Sequence, residues 1–174
     1  MEMTLRVDHV GMVVPDLERA VHYYQAVLRL EVSERLNDAV YLRCDERHHC
    51  LVLYAGQESR LHHLGLEVRN GRLLEQVRRQ LLAEGVAVFA SDHSESGHPP
   101  GICCHDPDGN VFELFTGMEV AERPQTSDVR PLRFGHLAFL ASDLGASVRF
   151  LEMPIECVFF EGSILVDVRF RLRC

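Results

Sequence analysis

Three stretches of the chain repeat one pattern of polar and apolar positions. Each has a histidine, an apolar run of strand character, an Asp or Asn seven residues after the histidine, and then apolar residues recurring every three and four. They are DHVGMVVPDLERAVHYY from Asp8, HHLGLEVRNGRLLEQVRR from His62 and GHLAFLASDLGASVRF from Gly135. The Asp or Asn (Asp16, Asn70, Asp143) offers a side-chain acceptor to the free N–H groups of a first helical turn, so each pattern predicts strand, N-cap, helix. The first helix would bury Leu17, Ala20, Val21, Tyr24, Val27 and Leu28. The second would bury Leu73, Leu74, Val77, Leu81 and Leu82, with Gly85 as its stop. The third, with Leu144, Val148 and Leu151, ends before Pro154.

Strand-like runs fill the intervals: Glu31–Arg35, 39–45 and 49–55 after the first helix, then 87–90, 101–105 and 111–116 after the second. Asp106-Pro107-Asp108-Gly109-Asn110 supplies the reversal before the last of these. Each copy is therefore βαβββ. The fold class predicted is α+β, with paired βαβββ modules forming a cupped mixed β-sheet and helices outside. Residues 1–118 make the two-module domain, 119–131 a polar, proline-containing linker, and 132–174 an incomplete third module. In that third module Ile164, Val166, Val168, Phe170 and Leu172 alternate with Asp167, Arg169, Arg171 and Arg173, a half-buried strand whose arginines form a solvated face. Its unpaired edge predicts docking on a second copy, a homodimer.

Composition narrows the chemistry. Of 174 residues, 47% are hydrophobic, enough for a packed core. All 18 basic residues are arginine, and 26 acidic ones give a formal charge of −8. Without lysine there is no Schiff-base enzyme and no Walker-type phosphate loop. A net acidic chain is a poor non-specific nucleic-acid binder. Apolar runs are too short to span a membrane, and the N-terminus lacks an apolar leader, so a cytoplasmic protein is expected. The six cysteines form no C-x-x-C and are expected reduced. The charge is uneven: residues 1–120 carry the whole −8, and 121–174 are neutral.

Ten histidines are the main clue. Alternation groups Val7, His9, Gly11 and Val13 on one face of the first strand, and Leu61, His63, Gly65 and Glu67 on one face of its counterpart. The glycine two beyond each histidine leaves room above the sheet. Glu113 shares a face with Val111 and Phe115, and a carboxylate there needs solvent, a cation or a metal. If the modules pair as equivalent halves, His9, His63 and Glu113 converge. Two histidines and a carboxylate with open positions suit Fe(II) oxygenase chemistry, or Lewis-acid work by another divalent ion. The plainer alternative is packed histidines and a Glu113–arginine pair. His48 and His49 could bind metal but read first as flanking a turn; His98 could line the cup but reads first as a surface-loop residue; Tyr23 and Tyr24 read as core or interface. Cys103 and Cys104, on one strand, point to opposite faces and cannot share an ion.

The His9 strand with PDLERAVHYY, the LHHLGLEV around His63 and DPDGNVFELF ending past Glu113 together resemble the vicinal oxygen chelate superfamily. Its members include glyoxalase I, fosfomycin-resistance proteins, bleomycin-binding proteins and type I extradiol dioxygenases. YLRCDERHHCLVL and the linker followed by RFGHLAFLASDL are most similar to the N-terminal half of the extradiol ring-cleavage enzymes. Those have four modules and carry iron in the last two. By that resemblance His136 corresponds to their first iron histidine, whose partners would lie in a fourth module outside this chain. His9, His63 and Glu113 match the ligand positions of two-module relatives.

The resemblance implies a metal-dependent extradiol-type dioxygenase with Fe(II), or else Mn(II), Zn(II) or Ni(II), and a catechol-like aromatic substrate chelated beside dioxygen before ring opening. No catalytic residue beyond the ligands carries over. The alternatives are a glyoxalase-type isomerase or lyase (or a thiol- or epoxide-modifying enzyme) and a non-catalytic small-molecule-binding protein. Metal content separates the last from the others, and oxygen uptake with a catechol separates the first two.

Overall fold

Three side-chain caps set the helices where the repeat predicts them. In the computed structural model, which describes residues 5–91, 95–122, 131, 133, 138 and 140–152, Asp16 accepts from the backbone N–H of Arg19 at 2.9 Å, Asn70 from Leu73 at 3.0 Å and Asp143 from Ala146 at 3.0 Å. The helices they open are α1 (Leu17–Leu28), α2 (Gly71–Ala83) and α3 (Leu144–Glu152). Gly85, at φ 76°, ends α2 with its N–H on the Leu82 carbonyl. In the reversal before the last strand, one Asp106 carboxylate oxygen accepts from the N–H groups of Asp108 and Asn110.

The strands are β1 (Leu5–Val14), β2 (Glu31–Arg35), β3 (Ala39–Arg43), β4 (Leu51–Ala55), β5 (Arg60–Val68), β6 (Val88–Ala90), β7 (Ile102–His105) and β8 (Val111–Phe115). They form one eight-stranded mixed sheet of order β2-β3-β4-β1-β5-β8-β7-β6. The order reads as two mirrored halves. Each begins with a long strand whose parallel partner is the last of its own module, β1 with β4 and β5 with β8. β1 and β5 meet antiparallel at the centre, so the sheet is continuous across both modules.

Helix-side positions form two apolar cores. Val21 of α1 packs in a core with Val10, Val14, Val40, Leu42, Leu51 and Leu53; Val77 and Leu81 of α2 pack in another with Leu64, Leu66, Val68, Phe112 and Leu114. Full burial of a side chain such as Val77 or Leu81 contributes about 1.5–3 kcal/mol. α3 adds Phe150 and Leu151 to the second core. Val27 and Leu28, expected on the buried face of α1, are 56% and 38% exposed because only its first two turns face the sheet core.

Alternation sends Tyr41, Val52, His63 and Glu113 to the other side of the sheet. Two interruptions refine it. The β1–β5 pairing skips Asp8 on one strand and His62 on the other. Val7 and Leu61 consequently leave the face predicted for them and pack with the helix-side cores. No described helix is long and apolar enough to cross a membrane. The strand expected at 164–172, its homodimer contact, His136 and most of the linker lie outside the described residues.

Candidate metal centre

The structure brings His9 (β1), His63 (β5) and Glu113 (β8) to one buried point, with exposures of 0%, 2% and 1%. His9 Nε2 and His63 Nε2 are 2.9 Å apart, and Glu113 Oε2 is 3.7 Å from His63 Nε2. Three residues that the sequence did not assign to the site join them. Glu95 and His98 come from the segment between β6 and β7, and His49 from the approach to β4. Glu95 Oε2 lies 3.1 Å from His63 Nε2, 3.4 Å from His9 Nε2 and 3.6 Å from His98 Nε2. Its other oxygen is 3.9 Å from His49 Nε2.

Each imidazole is held from behind. His9 Nδ1 meets Asp8 at 3.2 Å, His49 Nδ1 meets His48 at 3.0 Å, His63 Nδ1 meets His62 at 2.8 Å and His98 Nδ1 meets the Pro99 carbonyl at 2.9 Å. In a regular strand neighbouring side chains point oppositely. The skipped positions are Asp8 and His62 themselves, and a bulge re-aims a side chain, so each reaches the ring that follows it. Asp8 is in turn paired with Arg47 and, at 3.3 Å, with Arg6. Hydroxyls pin the carboxylates: Ser91 Oγ donates to Glu113 Oε1 at 2.6 Å and the Tyr54 hydroxyl to Glu95 Oε1 at 2.9 Å.

The donors fit a divalent ion. Those of His9, His63, Glu95 and Glu113 lie within 4.8 Å of one another. Two nitrogens bound to one ion at right angles would stand about 3 Å apart. Glu95 Oε2, His49 Nε2 and His98 Nε2 are buried atoms that complete no hydrogen bond, although Glu95 Oε2 lies within ion-pair distance of three ring nitrogens. Such convergence of unsatisfied atoms is costly unless something completes it. Imidazole and carboxylate donors suit Fe, Mn or Zn.

The electrostatics are strongly coupled. Burial pushes the His9 ring toward neutrality, but Asp8 and Glu95 outweigh it and hold its pKa at about 9. Burial, followed by the neighbouring His9 charge, drives His49 well below the ordinary histidine value. Burial also lowers His98, but Glu95 and the Pro99 carbonyl raise it overall. Glu95 is held well below the carboxylate range: burial opposes its charge, and His63, His9 and His98 overcome that.

His49 and His98 depart from the turn and surface-loop roles expected of them. The chain folds inward at His49 while His48 turns to Glu34 at 3.4 Å. The sequence offered metal binding for His49 and a place lining the cup for His98 only as the lesser alternatives, and nothing in SESGHPPG singles out Glu95. Cys103 and Cys104 do face opposite ways, with Cys104 in the helix-side core.

Residues 6–114 match the Glyoxalase/Bleomycin resistance protein/Dioxygenase superfamily, and the chain belongs to that family. It is 28% identical over 120 residues to the manganese-dependent 2,3-dihydroxybiphenyl 1,2-dioxygenase of Geobacillus genomosp. 3, covering 67% of this chain and 38% of that enzyme. It is 27% identical to the glutathione transferase FosA of Serratia marcescens, covering 68% of this chain and 86% of that protein. An extradiol ring-cleaving dioxygenase from B. fuscum superposes with a TM-score of 0.78 at 26% identity, over 87% of this chain and 45% of that one. The chain thus spans less than half the length of these two dioxygenases.

Proposed function

We propose that this chain is a divalent-metal enzyme of the extradiol type, opening the ring of a catechol-like aromatic, with His9, His63 and Glu113 as metal ligands. The convergence of two imidazole nitrogens and a carboxylate from three strands carries the reading, beside two further imidazoles whose Nε2 atoms face Glu95 without a hydrogen bond. When bound, Fe(II) or Mn(II) supplies Lewis acidity toward two adjacent hydroxyls and an electron path to dioxygen.

The chain's own residues manage protons and position. His49 is kept neutral by burial, and its Nδ1 is engaged by His48. Its Nε2 is therefore suited to take a phenolic proton. His98, whose proton affinity is raised instead, stacks on Phe115 with ring centroids 3.9 Å apart and is suited to return one. Two groups pushed in opposite directions make a base and an acid. An open surface cavity of about 480 Å³, bordered by Val13, Asp38, Tyr54, Gly56 and His62, meets the centre only through Tyr54, which bonds Glu95, and His62, which bonds His63. That volume falls in the range of small-ligand sites. Tyr54 is shared, its ring on the cavity and its hydroxyl on Glu95.

The test is anaerobic loading with Fe(II) or Mn(II), then oxygen uptake on adding a catechol. Loaded protein with no uptake rules out ring cleavage of that catechol. Equal metal in wild type and Glu113→Ala rules out the triad. A second reading keeps the triad and uses the ion purely as a Lewis acid. It is favoured by the match to FosA, the one of these relatives that the chain covers over most of its length. Oxygen-independent transfer of glutathione to an epoxide would support it.

A further inference from the structure

We infer that Glu95 is a fourth protein donor to this centre, through Oε2, so that the resting ion is held by two imidazoles and two carboxylates. The inference rests on the metal reading above and extends it to a residue outside the repeat.

Four observations carry it. First, Glu95 and Glu113 are built alike. Each has one oxygen pinned by a hydroxyl, Tyr54 or Ser91, and the other turned toward His63 Nε2, at 3.1 Å and 3.7 Å. Ligating carboxylates characteristically have such outer partners. Second, Glu95 Oε2 is nearer to both histidine nitrogens than Glu113 Oε2 is to His63, yet satisfies no hydrogen bond. A buried carboxylate oxygen that faces only ring nitrogens is costly once those rings are neutral, and a cation at that point removes the cost.

Third, the Glu95 side chain is 0% exposed, and among the described residues its ionic neighbours are His9, His49, His63 and His98. A metal requires neutral imidazoles, so no arginine contact would then compensate the carboxylate. Fourth, charge balances. A divalent ion with Glu113 alone leaves a net positive charge among buried side chains, and Glu95 cancels it.

The test is Mn(II) affinity of the full chain, measured by competition with a chromogenic chelator, for wild type, Glu95→Gln and Glu113→Gln. Glutamine keeps the acceptor for Tyr54 but loses the anionic oxygen. The expected result is at least tenfold weaker binding in both variants. Smaller loss in Glu95→Gln with large loss in Glu113→Gln overturns this inference and leaves the triad standing. Smaller loss in both overturns the triad and the inference with it. Should Glu95→Gln not fold, Tyr54→Phe decides: at least threefold weakening is expected, and anything less counts against Glu95 as a ligand.

Discussion

His9 on β1 stands opposite Gly65 on β5, and its imidazole fills the space that a side chain at position 65 would need. The relation is reciprocal, since Gly11 stands opposite His63 and yields to that ring. The strand glycines make room for each other's partner histidine, and that mutual vacancy lets two Nε2 atoms approach to 2.9 Å. Gly65→Ala should cost about 1–3 kcal/mol through overpacking and should also lower metal retention, because the His9 ring must shift. Gly71→Ala is the control. A Cβ there meets nothing within 4 Å, so it should hold or gain up to about 1 kcal/mol. Urea unfolding with metal analysis checks both.

His9 also sets a pH dependence. Without metal its pKa is about 9, above the ordinary 6.5. The charged ring therefore stabilises the metal-free fold fully below about pH 6.5, and that contribution is lost as pH rises through about 9. Metal binding requires the neutral ring and expels the proton. Mn(II) affinity should thus rise about tenfold per pH unit between pH 7 and 9 and then level off. Titrations at pH 7, 8 and 9 measure the slope. Asp8→Asn, which removes a carboxylate raising that pKa, should move the levelling to lower pH. A flat profile in the wild type would contradict the assignment of His9 as a ligand.

The repeat made much of this legible. Spacing from histidine to cap located all three helices, and module equivalence aligned His9 with His63. What stayed hidden depends on contacts between segments. The bulges at Asp8 and His62 arise from register between β1 and β5, so simple alternation misplaced Val7 and Leu61. Glu95 and His98 lie in a segment with no periodicity, positioned by Tyr54, by Pro99 and by Tyr41, whose hydroxyl accepts from the Ser96 N–H at 3.3 Å. His49 follows polar residues that read as a turn, and it is buried because the chain there closes over the sheet.

For His49 the prediction separates proton transfer from metal binding. His49→Gln keeps a polar side chain but no titratable nitrogen. It should leave metal content within about twofold of wild type. Turnover of a catechol should fall by about 10²–10⁴, the usual contribution of a general base. Parallel loss of metal and activity would make His49 a structural or ligating group instead.

The third repeat yields a prediction about stability. α3 is joined to the second module at both ends of its contact. Ser142 hydrogen-bonds Asp108 in the β7–β8 reversal, and Phe150 meets Phe112 edge-on with ring centroids 5.5 Å apart. Phe150 and Leu151 are 8% and 7% exposed, buried in the same core as Val77 and Leu114. Phe150→Ala should therefore cost about 3–5 kcal/mol in urea unfolding, the penalty of emptying a core site. Because Phe112 and Glu113 point to opposite faces of β8, the cavity opens away from the donors, and Mn(II) affinity should stay within about threefold of wild type. A cost below about 1 kcal/mol would mean that α3 only rests against the module. A large loss of affinity would mean that the helix-side core holds Glu113 in place.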